Sequence, residues 1–312
     1  MIGIKYSDAS IQLNGCYNDV DNYKQVLIKN FGYKNKNITV LFDKTNYIYP
    51  TKNNIIKYIN KLITRSHEEN INEITIFYSG HGTSIDTLND LYEKDNQNEC
   101  IVPVDYNTSG YILDNEMNKL LSKFNIKTKI ICIFDCCNSG TCADLPTCFS
   151  YEDNEIIEDT FNGKIMNNKN IFVLSGCKDN EESFDTNKGG LFTRSLIDTL
   201  HDNNYNCTIG SLLIGINNKL DKYLRNYNKK LLQNPVLSVS LSNCNENTIV
   251  FSKNNTFNKV TKYLPTIYQN NVINPSIIKY NNTFDIIYKI KKIEKSIKML
   301  TSKIQNIMNI YI

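Results

Sequence analysis

The alternation of short apolar segments with segments of helical periodicity is the feature of this 312-residue sequence that most limits its fold. Apolar runs of strand length occur at 2–6, 74–78, 130–134 and 171–174. Between these runs, apolar residues recur every three to four positions, as in a helix with one buried face. Strands separated by helices indicate βαβ units, and therefore a mostly parallel sheet covered by helices on both faces. The sequence predicts a three-layer α/β/α sandwich.

The remaining pattern adds further elements to this prediction. Short strands are expected at 38–42, 101–104 and 235–241. Helices are expected around 20–31, 55–62, 113–124, 191–200 and 209–224. The stretch at 152–169 is polar and is expected to lack regular structure.

Composition excludes several classes of protein. The formal net charge of +3 is too small to indicate a nucleic-acid partner, and no run approaches the roughly 20 apolar residues of a membrane span. The first residues lack a basic region followed by an apolar one, so no secretory signal is expected. The ten cysteines are not spaced like a disulfide framework, which favours free thiols in a reducing, cytoplasmic compartment.

The character of the chain changes twice after residue 245. Residues 246–282 are rich in Asn and polar, which predicts a linker or a loosely packed wrap around the first domain. The last segment, 283–312, predicts one amphipathic helix, because isoleucine and leucine recur at alternating spacings of four and three: 286, 290, 293, 297, 300, 304 and 307. Such a helix can dock in cis or oligomerise; lying on a membrane surface is the second alternative.

Two glycine-flanked segments carry the chemistry. His81 follows Ser79-Gly80, and Cys137 lies in Asp135-Cys136-Cys137-Asn138-Ser139-Gly140. Each segment follows a predicted buried strand, at the carboxyl edge where parallel sheets bind ligands. A thiol nucleophile needs a partner that takes its proton, and histidine does so near neutral pH. A cysteine metal cluster is disfavoured by the lack of paired C-x₂-C units, and a phosphatase loop by Ala143, where an arginine is required.

Five segments together resemble the metacaspases, in the order of that family and over residues 1–245: 13–19, 78–83, 100–105, 134–146 and 175–179. The 56 residues from His81 to Cys137 (137 − 81) agree with the spacing of about 50 in caspases. The resemblance implies a caspase-like α/β peptidase domain at 1–245 and a cysteine endopeptidase acting on proteins or peptides.

The resemblance also implies the roles of the catalytic residues. Cys137 corresponds to the nucleophile of the Asp-x-Cys-x-Ser-Gly block. His81 corresponds to the residue that accepts the thiol proton and later protonates the leaving amine. The backbone N–H groups of Gly82 and Cys137 correspond to the oxyanion hole.

Metacaspases cleave after Arg or Lys, and the resemblance implies a matching substrate pocket. Asp19 and Asp135 correspond to its acidic residues, and Cys16 and Ser79 line the same pocket. A buried pair of carboxylates suits a guanidinium group. Asp19 could instead cap a helix. A preference for Asp is the minor alternative, and a catalytically silent scaffold that acts by binding proteins is the alternative from another functional class.

Many metacaspases bind calcium, and the resemblance implies four ligand positions here: Asn98, Asp114, Asn115 and Asp144. Asparagine stands at two of these positions, where the family usually has aspartate. The loss of two negative charges predicts weak or absent calcium dependence, with Asp95 and Glu99 as local substitutes. No other cofactor is expected.

Overall fold

A computed structural model describes residues 1–7, 11–86, 97–137, 145–160, 170–178, 181, 183–225, 233–241 and 243–253. The predicted helix at 283–312 and most of the predicted linker lie outside these residues, as do Asp95 and Asp144.

The described chain alternates strands and helices. Its strands are β1 Ile2–Gly3, β2 Leu41–Phe42, β3 Glu73–Ser79, β4 Gly82–Asp86, β5 Gln97–Ile101, β6 Ile112–Leu113, β7 Lys129–Asp135, β8 Thr147–Glu152, β9 Glu155–Thr160, β10 Asn170–Ser175, β11 Asn206–Thr208, β12 Val236–Val239 and β13 Ile249–Ser252. Its helices are α1 Cys16–Asn30, α2 Lys52–Glu68, α3 Tyr106–Ser109, α4 Asp114–Leu121, α5 Leu191–Asp202 and α6 Ile209–Arg225.

Eight strands form the central sheet, in the order β2-β1-β3-β7-β10-β12-β8-β9. The first five are parallel to one another, and β12, β8 and β9 add antiparallel pairs on one side. Two smaller sheets consist of β4-β5-β6 and β11-β13. The parallel half aligns the carboxyl ends of β1, β3, β7 and β10 along one edge.

The central strand β7 shows why this sheet has three layers, since every one of its residues is buried. Ile130, Cys132 and Phe134 join the apolar core that also contains residues of α2 and α4. Ile131 and Ile133 alternate with them and join the core that contains residues of α1, α5 and α6. A strand covered on both faces reads as a continuous apolar run, as this one does. The predicted α/β/α fold is confirmed.

Some predicted elements differ from the structure. The strand expected at 38–42 is only β2, and the one expected at 101–104 ends at Ile101. The polar stretch after 152 contains β9, which pairs with β8 through a tight turn at Asp153 and Asn154. Both turn residues have positive φ, as a two-residue hairpin turn of type I′ requires. The sequence did not predict β9 because three of its six residues are acidic, as suits the exposed edge strand of the sheet that it forms.

The packed part of the chain continues past residue 245, where the sequence placed the end of the peptidase domain. Val250 and Phe251 of β13 are buried among residues of α5 and α6. The buried Lys129 ammonium group donates a hydrogen bond to the carbonyl oxygen of Val250. Within the described ranges, no helix combines the length and the apolar character that crossing a membrane requires.

Candidate active site

Strands β3 and β7 bring the two glycine-flanked segments together. They pair in parallel with Ser79 opposite Asp135, so His81 and Cys137 each lie two residues beyond the same point of the sheet. The N–H of Gly80 donates to the carbonyl oxygen of Asp135 at 3.3 Å. A Cβ atom on Gly82 would lie 2.0 Å from the carbonyl oxygen of Cys137, so only glycine permits this approach.

The imidazole of His81 contacts a backbone carbonyl. Its Nε2 lies 2.6 Å from the carbonyl oxygen of Ile11. A carbonyl oxygen only accepts hydrogen bonds, so this contact requires a proton on Nε2. In the neutral ring, Nδ1 is then the nitrogen that can accept a proton. The contact with Ile11 therefore assigns the proton to Nε2 and leaves Nδ1 as the basic nitrogen of the neutral ring.

The thiol of Cys137 is half-buried and faces a second loop. The backbone N–H of Ser183 donates to Sγ at 3.3 Å. The carbonyl oxygen of Ser183 lies 4.0 Å from the same sulfur and can accept from the thiol, so both backbone groups of Ser183 face Cys137.

Asp19 is buried at the start of α1, with 2% of its surface exposed. Its Oδ2 accepts a hydrogen bond from the Ser79 hydroxyl at 2.8 Å, and its Oδ1 accepts one from the N–H of Gly190 at 2.8 Å. A Cβ atom on Gly189 would lie 2.5 Å from Oδ1, so the loop backbone packs directly on the carboxylate. Gly15, rather than Asp19, occupies the N-cap position of α1, so the alternative that Asp19 caps this helix is wrong.

Asp135 ends β7 and is buried on the same side of the site. Its Oδ1 accepts a hydrogen bond from the Ser183 hydroxyl at 2.6 Å. Its Oδ2 accepts two from Thr193, from the hydroxyl at 2.6 Å and from the N–H at 3.1 Å. These three donors, two hydroxyl groups and one backbone N–H, carry no charge.

Burial raises the pKa of Asp19 well above the usual value of an aspartate, and the nearby Asp135 raises it further. Burial also raises the pKa of Asp135, although its hydrogen bonds with Ser183 and Thr193 act in the opposite direction. Two carboxylates buried in one site are shielded from bulk water, and they repel each other when both are ionised. A cation entering this site would relieve that repulsion.

Cys16 and Ser79 lie beside this pair. Cys16 precedes Asp19 by one helical turn on α1 and is buried, and burial raises the pKa of its thiol well above the ordinary value. The Ser79 hydroxyl joins Asp19 to the end of β3. The four residues expected in the pocket are therefore close together.

Residues of the loop before α5 and of the first turn of α5 complete the site, and the sequence did not predict them. Besides Ser183 and Thr193, Asp185 accepts hydrogen bonds from the N–H groups of Asn14 at 2.6 Å and of Gly15 at 2.9 Å. This contact ties the loop to the segment that precedes α1. No local motif marks these residues, and the bond between Asp19 and Gly190 spans 171 positions of the sequence.

The residues expected to hold calcium lie apart from this pair, between β5 and α4. Asp114 accepts hydrogen bonds from the backbone N–H groups of Glu99 and Asn115, and the Asn115 amide donates to Asn98 Oδ1 at 3.3 Å. Asp144 lies outside the described residues. Among the described residues of the expected calcium site, Asp114 carries the one carboxylate, and its oxygens accept hydrogen bonds from backbone N–H groups. This arrangement of donors fits a calcium ion poorly. In the described part of the chain, no three His, Cys, Asp or Glu side chains are grouped to hold a metal.

Comparisons with known proteins agree with the fold. A family model for the metacaspase, peptidase C14 domain matches residues 1–146. A protein of Geobacter sulfurreducens, solved as a crystal structure, superposes with a TM-score of 0.50 at 19% identity, over 80% of this chain and 90% of that chain.

Curated relatives extend the match. Metacaspase-3 of Trypanosoma brucei brucei is 32% identical over 260 residues, which cover 77% of this chain and 70% of the relative. Metacaspase-1 of Plasmodium falciparum is 34% identical over 195 residues, 61% of this chain and 31% of the relative. The family model and these identities confirm the resemblance stated above: the chain belongs to the metacaspases, cysteine peptidases with a C14 domain.

Proposed function

We propose that this protein is an endopeptidase that cleaves after Arg or Lys, with Cys137 as nucleophile and His81 as its general base. The observation that carries the proposal is the buried pair Asp19 and Asp135 beside these two residues. Asp135 is only two positions before Cys137, so a side chain bound by the pair sits next to the thiol.

The geometry supports a two-step reaction. Nδ1 of His81 takes the thiol proton of Cys137, and the thiolate attacks the substrate carbonyl carbon. The N–H groups of Gly82 and Cys137 stabilise the oxyanion, and His81 then protonates the leaving amine as the C–N bond breaks. Water, deprotonated by His81, hydrolyses the resulting thioester, and the thiol is restored.

The substrate preference follows from charge and burial. An Arg or Lys side chain brings a positive charge to two carboxylates whose pKa values are raised because they are buried and close together. Binding of this cation favours ionisation of both groups, and a guanidinium can donate two parallel hydrogen bonds to carboxylate oxygens in a bidentate geometry. A substrate ending in Asp would add a third negative charge and is disfavoured.

The calcium prediction follows from the poor fit of the described donors. We expect kcat/KM with and without millimolar calcium to agree within about threefold, because Asp114 is the only carboxylate among the described residues of the set. The measurement compares enzyme in a chelating buffer with enzyme in added calcium. Activity that requires calcium would contradict it.

Hydrolysis of short fluorogenic peptides ending in Arg, Lys or Asp tests the proposal. We expect Arg and Lys peptides to be cleaved, and Cys137→Ala to abolish cleavage. Cys244→Ala is the matched control, since this thiol is also half-buried but lies after β12. Turnover of the Asp peptide alone would reject the preference. Folded protein without any turnover would favour a silent scaffold.

A further inference from the structure

Beneath His81 lies a buried tyrosine from the segment after β1. The hydroxyl of Tyr6 accepts a hydrogen bond from the backbone N–H of His81 at 3.0 Å and donates one to the carbonyl oxygen of Val102 at 2.6 Å. The two rings also touch, with 4.8 Å between the centroids of Tyr6 and His81. Only 3% of Tyr6 is exposed, so neither hydrogen bond competes with bulk water.

A second tyrosine holds the other backbone group of His81. The Tyr78 hydroxyl donates to the carbonyl oxygen of His81 at 2.7 Å, and its oxygen lies 3.1 Å from that of Tyr6. A Cβ atom on Gly80 would lie 2.7 Å from the Tyr78 hydroxyl oxygen, so the turn leaves room for this contact. The Tyr6 hydroxyl accepts from the N–H of His81, and the C=O of His81 accepts from both the Tyr78 hydroxyl and the N–H of Val102, the latter at 3.2 Å.

The backbone of Tyr6 adopts an unfavourable conformation to make this contact. Its φ is 53°, in the left-handed region that side chains other than glycine and asparagine rarely adopt. The Asp43 carboxylate stabilises it by accepting hydrogen bonds from the N–H groups of Lys5 at 2.9 Å and Tyr6 at 2.7 Å. Such local strain is typical of sites where it orients a functional group.

We propose that Asp43, Tyr6 and Tyr78 are positioning residues that fix the backbone and ring of His81 for proton transfer with Cys137. The inference rests on the proposed function, because it gives His81 the role of base. Tyr6 and Tyr78 hold the backbone, and the carbonyl of Ile11 holds Nε2, so the ring keeps one orientation. None of the three positioning residues needs to touch the substrate.

Removal of the hydroxyl groups tests the positioning role. Misplacement of a catalytic group by a fraction of an ångström to one ångström lowers the rate by as much as about 100-fold. We expect Tyr6→Phe and Tyr78→Phe each to lower kcat on an Arg peptide by about 10-fold to 100-fold, with KM within about twofold of the native value. KM is spared because Asp19 and Asp135 are unchanged.

Tyr23→Phe is the matched control. Tyr23 is also fully buried, but in the core on the other face of the sheet, and its hydroxyl has no hydrogen-bond partner among the described residues. We expect this variant to keep the native kcat. Values of kcat within about threefold of the control for both Tyr6→Phe and Tyr78→Phe would overturn the inference.

The pH dependence of Cys137 alkylation gives a second readout that needs no turnover. Iodoacetamide reacts with the thiolate, and mass spectrometry of the Cys137 peptide reports its rate. In the native protein, pairing with His81 should keep the reaction fast below the ordinary thiol pKa of about 8.5. We expect Tyr6→Phe to shift this profile toward the ordinary value and Tyr23→Phe to leave it unchanged.

The two readouts separate the inference from the proposed function. If Cys137 of the native protein is alkylated with the ordinary thiol pKa, the proposed pairing of Cys137 with His81 is itself rejected. The other outcome is a native alkylation profile with a thiol pKa below the ordinary value. If Tyr6→Phe changes neither this profile nor kcat, only the positioning role is rejected. If Tyr6→Phe does not fold, Tyr78→Phe decides by the same criteria.

Discussion

At the scale of single residues, the two buried aspartates lower the stability of the folded protein and, in the proposed function, bind the substrate. Asp19 and Asp135 accept hydrogen bonds from hydroxyl and backbone N–H groups, which are neutral donors. Neutral donors only partly replace the hydration that ionised carboxylates lose on burial. A positively charged substrate side chain would supply the opposite charge that these carboxylates lack, so we expect the protein to be more stable with this side chain bound than without it.

Asp19→Asn tests this balance. The Asn oxygen can still accept from Gly190, and its amide can donate to the Ser79 hydroxyl. We expect a gain of about 1 kcal/mol in the free energy of unfolding near pH 7.5, or about 2–4 °C in Tm, with kcat/KM on Arg peptides lowered at least about 100-fold. Asp21→Asn, an exposed position of the same helix, should change neither quantity. A destabilised Asp19→Asn, or one that cleaves Arg peptides normally, would contradict the argument.

The raised pKa values also predict a pH dependence of stability. The folded protein binds protons at Asp19 and Asp135 more tightly than the unfolded chain does, whose aspartates titrate near 3.9. Stability from these two groups is therefore present at low pH and is lost as the pH rises from about 4 through their folded pKa values.

Denaturant unfolding of native protein and Asp19→Asn between pH 4 and 8 measures this effect by difference. The native protein should lose more stability than the variant as the pH rises. Parallel curves would show that burial does not raise the pKa of Asp19.

At the scale of secondary-structure elements, the site depends on the register of β3 and β7. The pairing of Ser79 with Asp135 places the turn after β3 against the turn after β7. Their contact is so close that a Cβ atom on Gly82 would lie only 2.0 Å from the Cys137 carbonyl oxygen, a severe steric clash. The glycine therefore determines how near the His81 and Cys137 segments can approach.

Gly82→Ala tests this contact. The added methyl group must push the Cys137 carbonyl away and displace the N–H groups proposed for the oxyanion hole. We expect kcat to fall at least about 100-fold, the effect of losing an oxyanion donor. Gly210→Ala in α6 is the control, because its nearest contacts would be 3.3 Å, at Glu246. A Gly82→Ala variant that is as active as Gly210→Ala would show that the two turns need not touch.

At the scale of the whole molecule, the sequence predicted those parts whose signal is local. The apolar runs identified β3, β7 and β10, and the glycines around His81 and Cys137 identified the ends of two of them. The role of Ile11 was not predictable, because its backbone carbonyl carries no side-chain signal. Asp185, in the loop before α5, and Thr193, in α5 itself, reach the site only through the packing of a segment that is distant in sequence.

The C-terminal segment stays a prediction from periodicity alone, because it lies outside the described residues. If residues 283–312 oligomerise as an isoleucine-rich helix, removing them should reduce the mass in solution to that of a monomer. Light scattering of the full chain and of a chain that ends at Asn282 measures this. A full chain that is already monomeric would reject oligomerisation.

The central claim is that Cys137 is the nucleophile of a site that selects a positive charge. Mass spectrometry after treatment with a chloromethyl ketone peptide ending in Arg tests both parts at once. We expect one adduct on Cys137, much faster labelling than with the Asp-ended analogue, and loss of this difference in Asp19→Asn. An adduct on another of the ten cysteines, or equal labelling by both analogues, would contradict it.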